Sequence, residues 1–85
     1  MSEKKLVGAI THFFANINVG VIELEDTLRV GDRISIEGAT TNIQQDVTSM
    51  QIDRKEVREA KKGESVGIKV RDRVRERDMV FRVKE

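Results

Sequence analysis

Lys69, Arg71, Arg73, Arg75 and Arg77 stand at every second position of one stretch, so wherever that stretch is extended their side chains project on one side. Such a row suits phosphate, because the planar guanidinium presents a fork of donors that matches an oxyanion in a way a simple surface charge does not require. Asp72, Glu76 and Asp78 are interleaved with the row; if they neutralise it, the segment is an ordinary charged edge. Phe13 and Phe14 are the adjacent aromatic residues, and hence the candidates for stacking on bases. These seven residues form the candidate RNA-binding set.

Other chemistry finds little support. The chain has one histidine, His12, and no cysteine. A Ser-His-Asp triad would need His12 to meet Ser35, Ser49 or Ser65, and no spacing favours such a meeting. Zinc would be left with carboxylates in place of its usual nitrogen and sulfur ligands. Glu23 with Glu25, or Asp26 with Asp32, could approach Mg²⁺ or Ca²⁺, but they lack the alternate oxygen ligands and closing Glu of a calcium loop. They read as solvated acidic turns. The sequence therefore predicts no catalytic residue, no metal and no cofactor, and a chain that is not an enzyme on its own.

Eighty-five residues suffice for one hydrophobic core. Hydrophobic residues make up 38% and charged residues 36%, a balance that suits a compact fold with a heavily charged surface. The net charge is +1, yet residues 1–53 hold four Lys or Arg against eight Asp or Glu, whereas residues 54–85 hold twelve against seven. An uneven distribution of that kind points to an anionic partner for the second half. Lys4 and Lys5 ahead of the apolar run 6–15 imitate the start of a signal peptide, but Thr11 and His12 interrupt the run and no small-residue cleavage site follows. No run approaches the roughly 18 apolar residues of a membrane span, and a cytoplasmic location is expected.

The elements that must position these residues read as short strands. From Leu6 to Phe14 the apolar residues fall on both sides of an extended chain, which predicts a strand buried on much of both faces. Asn16-Ile17-Asn18 favours a turn, and Val19 to Leu24 is a second strand rich in β-branched residues. Val30-Gly31-Asp32 separates two apolar runs, and Arg33-Ile34-Ser35-Ile36-Glu37 alternates strictly, with Ile34 and Ile36 facing the core. Ile43, Gln45 and Val47 share one parity while Met50 and Ile52 share the other, so a bulge near Thr48 or Ser49 is expected. Residues 53–62 have helical composition but no apolar stripe, and predict a charged hairpin connection. Val66 to Val70 and Met79 to Val83 complete the strands. Residues 1–5 read as a tail and 6–85 as a single domain.

The run Leu28-Arg29-Val30-Gly31-Asp32-Arg33-Ile34-Ser35-Ile36 resembles the β-barrel second domain of elongation factor Tu and other translation GTPases. Matches continue in order through Val47 to Met50, Ala60 to Val70 and Val74 to Val80. The same pattern is similar to the C-terminal barrel of collagenase-like peptidase family proteins, several of which act on RNA. The resemblance implies an all-β fold: a small closed antiparallel barrel of about six strands with Greek-key connections. The chain lacks the G-x-x-x-x-G-K-[ST] loop that cradles phosphates, so neither nucleotide binding nor hydrolysis carries over. Asp78 stands where elongation factor Tu has glycine, and the region after Val70 is shorter.

These readings converge on a free-standing, non-catalytic binding module, associated with RNA (tRNA or ribosomal) or with a translation or RNA-processing protein. The alternative is a protein-interaction subunit that docks on a partner carrying an enzymatic domain.

Overall fold

In the computed structural model, which describes residues 3–84, β1 (Glu3–Phe14) is the longest strand. It pairs along its first part with β10 (Met79–Lys84) and along its second with β2 (Val19–Leu24). The expected burial on both faces does not occur. The register shifts between Leu6 and Gly8 and again between Ile10 and His12, and each bulge resets the alternation by one residue. Val7 and Ile10 both reach the core as a result, while Thr11, His12 and Phe14 are exposed. The close approach of β2 needs Gly8, where a Cβ would stand 2.7 Å from Ile22 Cγ2. Lys4 and Lys5, read from sequence as tail residues, lie within β1 opposite Val83 and Arg82.

The next strands are β3 (Leu28–Arg29), β4 (Arg33–Glu37), β5 (Asn42–Asp46), β6 (Met50–Ile52), β7 (Lys55–Val57), β8 (Glu59–Ala60) and β9 (Ser65–Lys69). The charged stretch after Ile52 forms a hairpin: Asp53 and Arg54 take φ of 51° and 66°, the paired left-handed geometry of a two-residue type I′ turn. Where a bulge near Thr48 or Ser49 was expected, residues 47–49 leave the ladder altogether and separate β5 from β6.

One sheet runs β5-β4-β10-β1-β2-β9-β6-β7, and β3 with β8 forms a second, two-stranded sheet. All the ladders are antiparallel. Inward residues of successive strands meet in a single apolar cluster that includes Ile10, Ile22, Ile34, Ile36, Met50 and Ile68. Burying each such side chain stabilises the fold by about 1.5–3 kcal/mol relative to its exposure. Ile34, Ile36, Val47, Val66, Ile68 and Val80 are all buried, as their alternation predicts.

The closed barrel of about six strands is not what forms. The fold is all-β and contains no helix among the described residues, but no ladder joins β5 to β7. The sheet must nevertheless curl. Flat, the six strand spacings from β5 to β6 would span about 29 Å, whereas the connection from Asp46 to Met50 reaches at most about 14 Å. Backbone bonds from Gly31 N–H to Val47 C=O, Val47 N–H to Asp32 C=O and Val30 N–H to Arg58 C=O, at 2.8–2.9 Å, knit the curled ends. The seam is therefore made by isolated bonds, because the three-residue crossing 47–49 occupies the place of a closing ladder.

Replacing Ile34, which is fully buried, with Asp places an unpaired charge in this core. We expect Ile34→Asp to lose cooperative unfolding by circular dichroism; a variant with an unchanged melting temperature would contradict the core assignment.

Candidate functional site

Beyond Lys69 the basic row leaves the strand, so alternate positions no longer set a common side. Val70 and Val74 are buried and anchor the loop from below, and Val70 N–H donates to Asn18 C=O at 2.8 Å. Asp72 Oδ1 accepts from its neighbour's Arg73 N–H at 2.7 Å. Asp78 Oδ2 accepts from Arg75 N–H at 2.8 Å, and Asp78 N–H returns a bond to Arg75 C=O. Arg77 completes this turn in left-handed conformation, with φ of 75°. Asp72 and Asp78 thus cap backbone donors, and Glu76 lies beside His12; among the described residues none of the three is ion-paired to a guanidinium. Among the described residues, no side-chain nitrogen of Lys69, Arg71, Arg73, Arg75 or Arg77 has a carboxylate oxygen within 4.0 Å.

The loop divides the row. Lys69 and Arg71 join Arg33, Gln45, Asp46, Thr48 and Val70 around an open depression of about 440 Å³. Arg75 and Arg77 line another, of about 270 Å³, against residues 38–40. Arg73 lines neither. The aromatic pair also divides: Phe13 packs against the core, while Phe14 is 43% exposed, with its ring edge-on to His12 at 4.4 Å.

Gln45 is the residue that the search for chemistry overlooked. It points inward from β5 and is buried. Its Nε2 donates to Lys69 C=O and its Oε1 accepts from Arg71 N–H, each at 2.8 Å. One side-chain amide thereby satisfies a donor and an acceptor of the facing segment, as a neighbouring strand would. The signal lay in its parity with Ile43 and Val47. Arg71 adds a longer contact from Nη1 to Gln44 C=O at 3.4 Å.

His12 Nδ1 lies 3.8 Å from Glu76 Oε1, and Ser35 Oγ donates to Glu37 at 2.7 Å; among the described residues His12 makes no hydrogen bond to a serine. No group of three or more potential metal-ligating side chains occurs among the described residues. Asp26 is held below the ordinary carboxylate range by a hydrogen bond from Lys5, the Thr27 N–H and the charge of Arg82. Glu37 is lowered likewise, by Lys4 first and then by Ser35. These acids are ion-paired surface groups, with no ligand-like arrangement around them. Among the described residues no helix is long and apolar enough to cross a membrane.

The domain is a curled antiparallel sheet whose depressions beside the basic row are open. No protein-family model matches the chain. Individual relatives do: the chain is 45% identical over 80 residues to an uncharacterized protease of Methanocaldococcus jannaschii, covering 93% of this chain and 20% of the protease. It is 34% identical over 82 residues to a collagenase of Porphyromonas gingivalis, covering 94% and 23%. The chain spans about a fifth of the length of the curated relatives it matches. Its fold is that of the C-terminal domain of a Geobacillus thermoleovorans protein ascribed to the U32 peptidases, with a TM-score of 0.86 at 16% identity, covering 92% of this chain and 91% of that one. The chain is thus homologous to one segment of longer proteins named as a protease and a collagenase.

Gln45→Leu leaves the Lys69 carbonyl and the Arg71 N–H without their partner, at a cost of about 1–3 kcal/mol. Denaturant unfolding should show that loss, with faster amide exchange at Arg71. Unchanged stability and exchange would remove Gln45 from its bridging role.

Proposed function

We propose that this chain is a non-catalytic accessory domain that docks against a catalytic domain of the U32 peptidase type. One observation carries the reading: similarity runs over 93% of this chain but only 20% of the M. jannaschii protease. Four fifths of that protein therefore lies outside the shared domain, and a reaction centre has its room there. The open, shallow form of the depressions in this domain supports the same division. A fold alone hosts many functions, so the elongation factor Tu-like pattern adds no translation role to this reading.

The test is a graft. This chain replaces the matched residues of the M. jannaschii protease, and guanidinium unfolding is followed for the graft and for the isolated chain. Docking should make the grafted domain unfold at higher denaturant than the isolated chain, because an interface present only in the native state adds stability. Unfolding of the graft at the isolated chain's midpoint would refute docking. Gelatin hydrolysis by the isolated chain would refute the non-catalytic role.

A second reading has its own support in the five cations whose side chains, among the described residues, have no carboxylate partner. Uncompensated Arg and Lys side chains can displace counterions from a polyanion, and the row would then contact single-stranded or looped RNA, with Phe14 beside it. Five phosphate contacts predict a slope of about −3.5 for log affinity against log salt. Arg73→Ala with Arg75→Ala should weaken binding equally across RNA sequences, since phosphate contacts carry no base information. Equal affinity of wild type and the double variant across a salt series would reject the row.

A further inference from the structure

We infer that the depression at the open seam of the sheet, lined by Arg33, Thr48, Lys69 and Arg71, is a binding site for a dianionic phosphate group. The inference goes beyond the docking role and does not depend on it, and of the basic row it takes Lys69 and Arg71 alone.

The missing ladder makes the site. β4 begins at Arg33 and β5 ends at Asp46, and the two residues pair in register. Thr48 lies on the crossing, and β9 ends at Lys69. A ladder between β5 and the segment after β9 would fill the space between them. The Gln45 amide spans it instead, and an open depression of about 440 Å³ is left beside that bridge. Gln45 holds the backbone on both sides of Val70, at Lys69 C=O and Arg71 N–H, and Val70 itself is buried. The backbone carrying the two cations is thus fixed before an anion arrives, so binding has only side chains to order. Most of the Arg71 donor fork is free, because its recorded contact is the single one of 3.4 Å to Gln44 C=O.

Charge selects the ligand. Arg33, Lys69 and Arg71 are three cations, and subtracting the one carboxylate, Asp46, leaves two positive charges around the depression. A phosphate monoester carries about two negative charges at neutral pH, whereas a carboxylate or a phosphodiester carries about one. Asp46 engages Arg33 through a single contact of 3.3 Å. Among the described residues, no carboxylate oxygen lies within 4.0 Å of the side-chain nitrogens of Lys69 or Arg71. Two guanidinium forks, an ammonium and the Thr48 hydroxyl, carried on different segments, suit a tetrahedral oxyanion that accepts from several directions. Other charged depressions of the described residues are balanced. In one, Lys5 and Arg82 are paired to Asp26, and Arg29 to Glu59; in another, Arg75 and Arg77 share the lining with Glu76 and Asp78.

The probe is inorganic phosphate, titrated into the chain while amide shifts are read by NMR. Saturable shifts are expected at Thr48 and Arg71. Arg71→Ala keeps the N–H that Gln45 holds, so the fold stays while affinity falls about tenfold. Asp46→Asn removes the opposing charge and should tighten binding about threefold. Lys62→Ala takes the same charge from the exposed turn before β9 and should leave affinity unchanged. The Arg73→Ala, Arg75→Ala double variant should bind phosphate as the wild type does, which separates this site from the five-residue row. RNA oligomers with and without a 5′-terminal phosphate distinguish the sources. Preference for the phosphorylated oligomer supports a phosphate carried on a polynucleotide; no preference, with inorganic phosphate still saturable, supports a small phosphorylated molecule. RNA binding without any saturable phosphate shift would return Lys69 and Arg71 to the row and overturn the inference. Equal losses in Lys62→Ala and Arg71→Ala would reduce the binding to diffuse charge and overturn it too.

Discussion

Three residues, 47–49, carry the chain from β5 at one edge of the large sheet to β6 near the other. A connection so short cannot span a flat sheet of this order, and the curl follows from covalent reach before any side chain is considered. Once the edges are drawn together, the inward faces of the strands share one interior. That is how a chain of 85 residues obtains a contiguous core without a helix to cover its sheet. The crossing itself is held by Val47, which is buried and bonded through its backbone to Gly31 and Asp32. It costs the fold its closing ladder, and the Gln45 amide and the β3–β8 pair supply isolated hydrogen bonds instead.

Acidic side chains follow a second constraint, the satisfaction of backbone donors in tight turns. Asp26, Asp32, Glu64, Asp72 and Asp78 each accept from a backbone N–H one to three residues away. Short polar side chains suit that task because they mimic a turn of backbone. Asp78 adds a packing demand: a Cβ on Gly38 would stand 2.7 Å from its Cγ, so the glycine leaves space for the carboxylate. In the basic loop these local bonds hold Asp72 and Asp78 at the backbone while the guanidinium groups stay in solvent. Along the loop four arginines thus face three carboxylates that make no ion pair with them among the described residues.

Local alternation was legible in the sequence and long-range order was not. Ile34 and Ile36 on β4, and Val66 and Ile68 on β9, could be assigned inward because period-two patterning depends only on neighbours. Pairings such as β1 with β10, or β10 with β4, join segments distant in sequence, and nothing local distinguishes them. β1 misleads for a different reason: its bulges change parity twice, so counting along a straight strand puts Val7 and Ile10 on opposite faces. The basic row fails the same way, since even spacing implies one face only while the backbone stays extended, and it does so no further than Lys69. Gln45 was readable in principle, as a polar residue at a core parity. Composition gave it no weight, because its role depends on a facing segment 24 residues away.

The two surfaces that remain differ in physical kind. The outward side of β10 carries Met79, Phe81 and Val83, so association there would gain from water release and depend little on salt. The loop after Lys69 holds four arginines against three carboxylates, so contact of its arginines with an anion would depend on counterion release and weaken as salt rises. They lie on different elements, one on paired strands and the other on a loop braced by Val70, Val74 and the Gln45 amide. A rigid, apolar strand face suits a persistent interface, because little conformational entropy remains to be lost on contact. Exposed arginine side chains on a loop suit an adaptable one, in which side-chain freedom is surrendered only when an anion arrives.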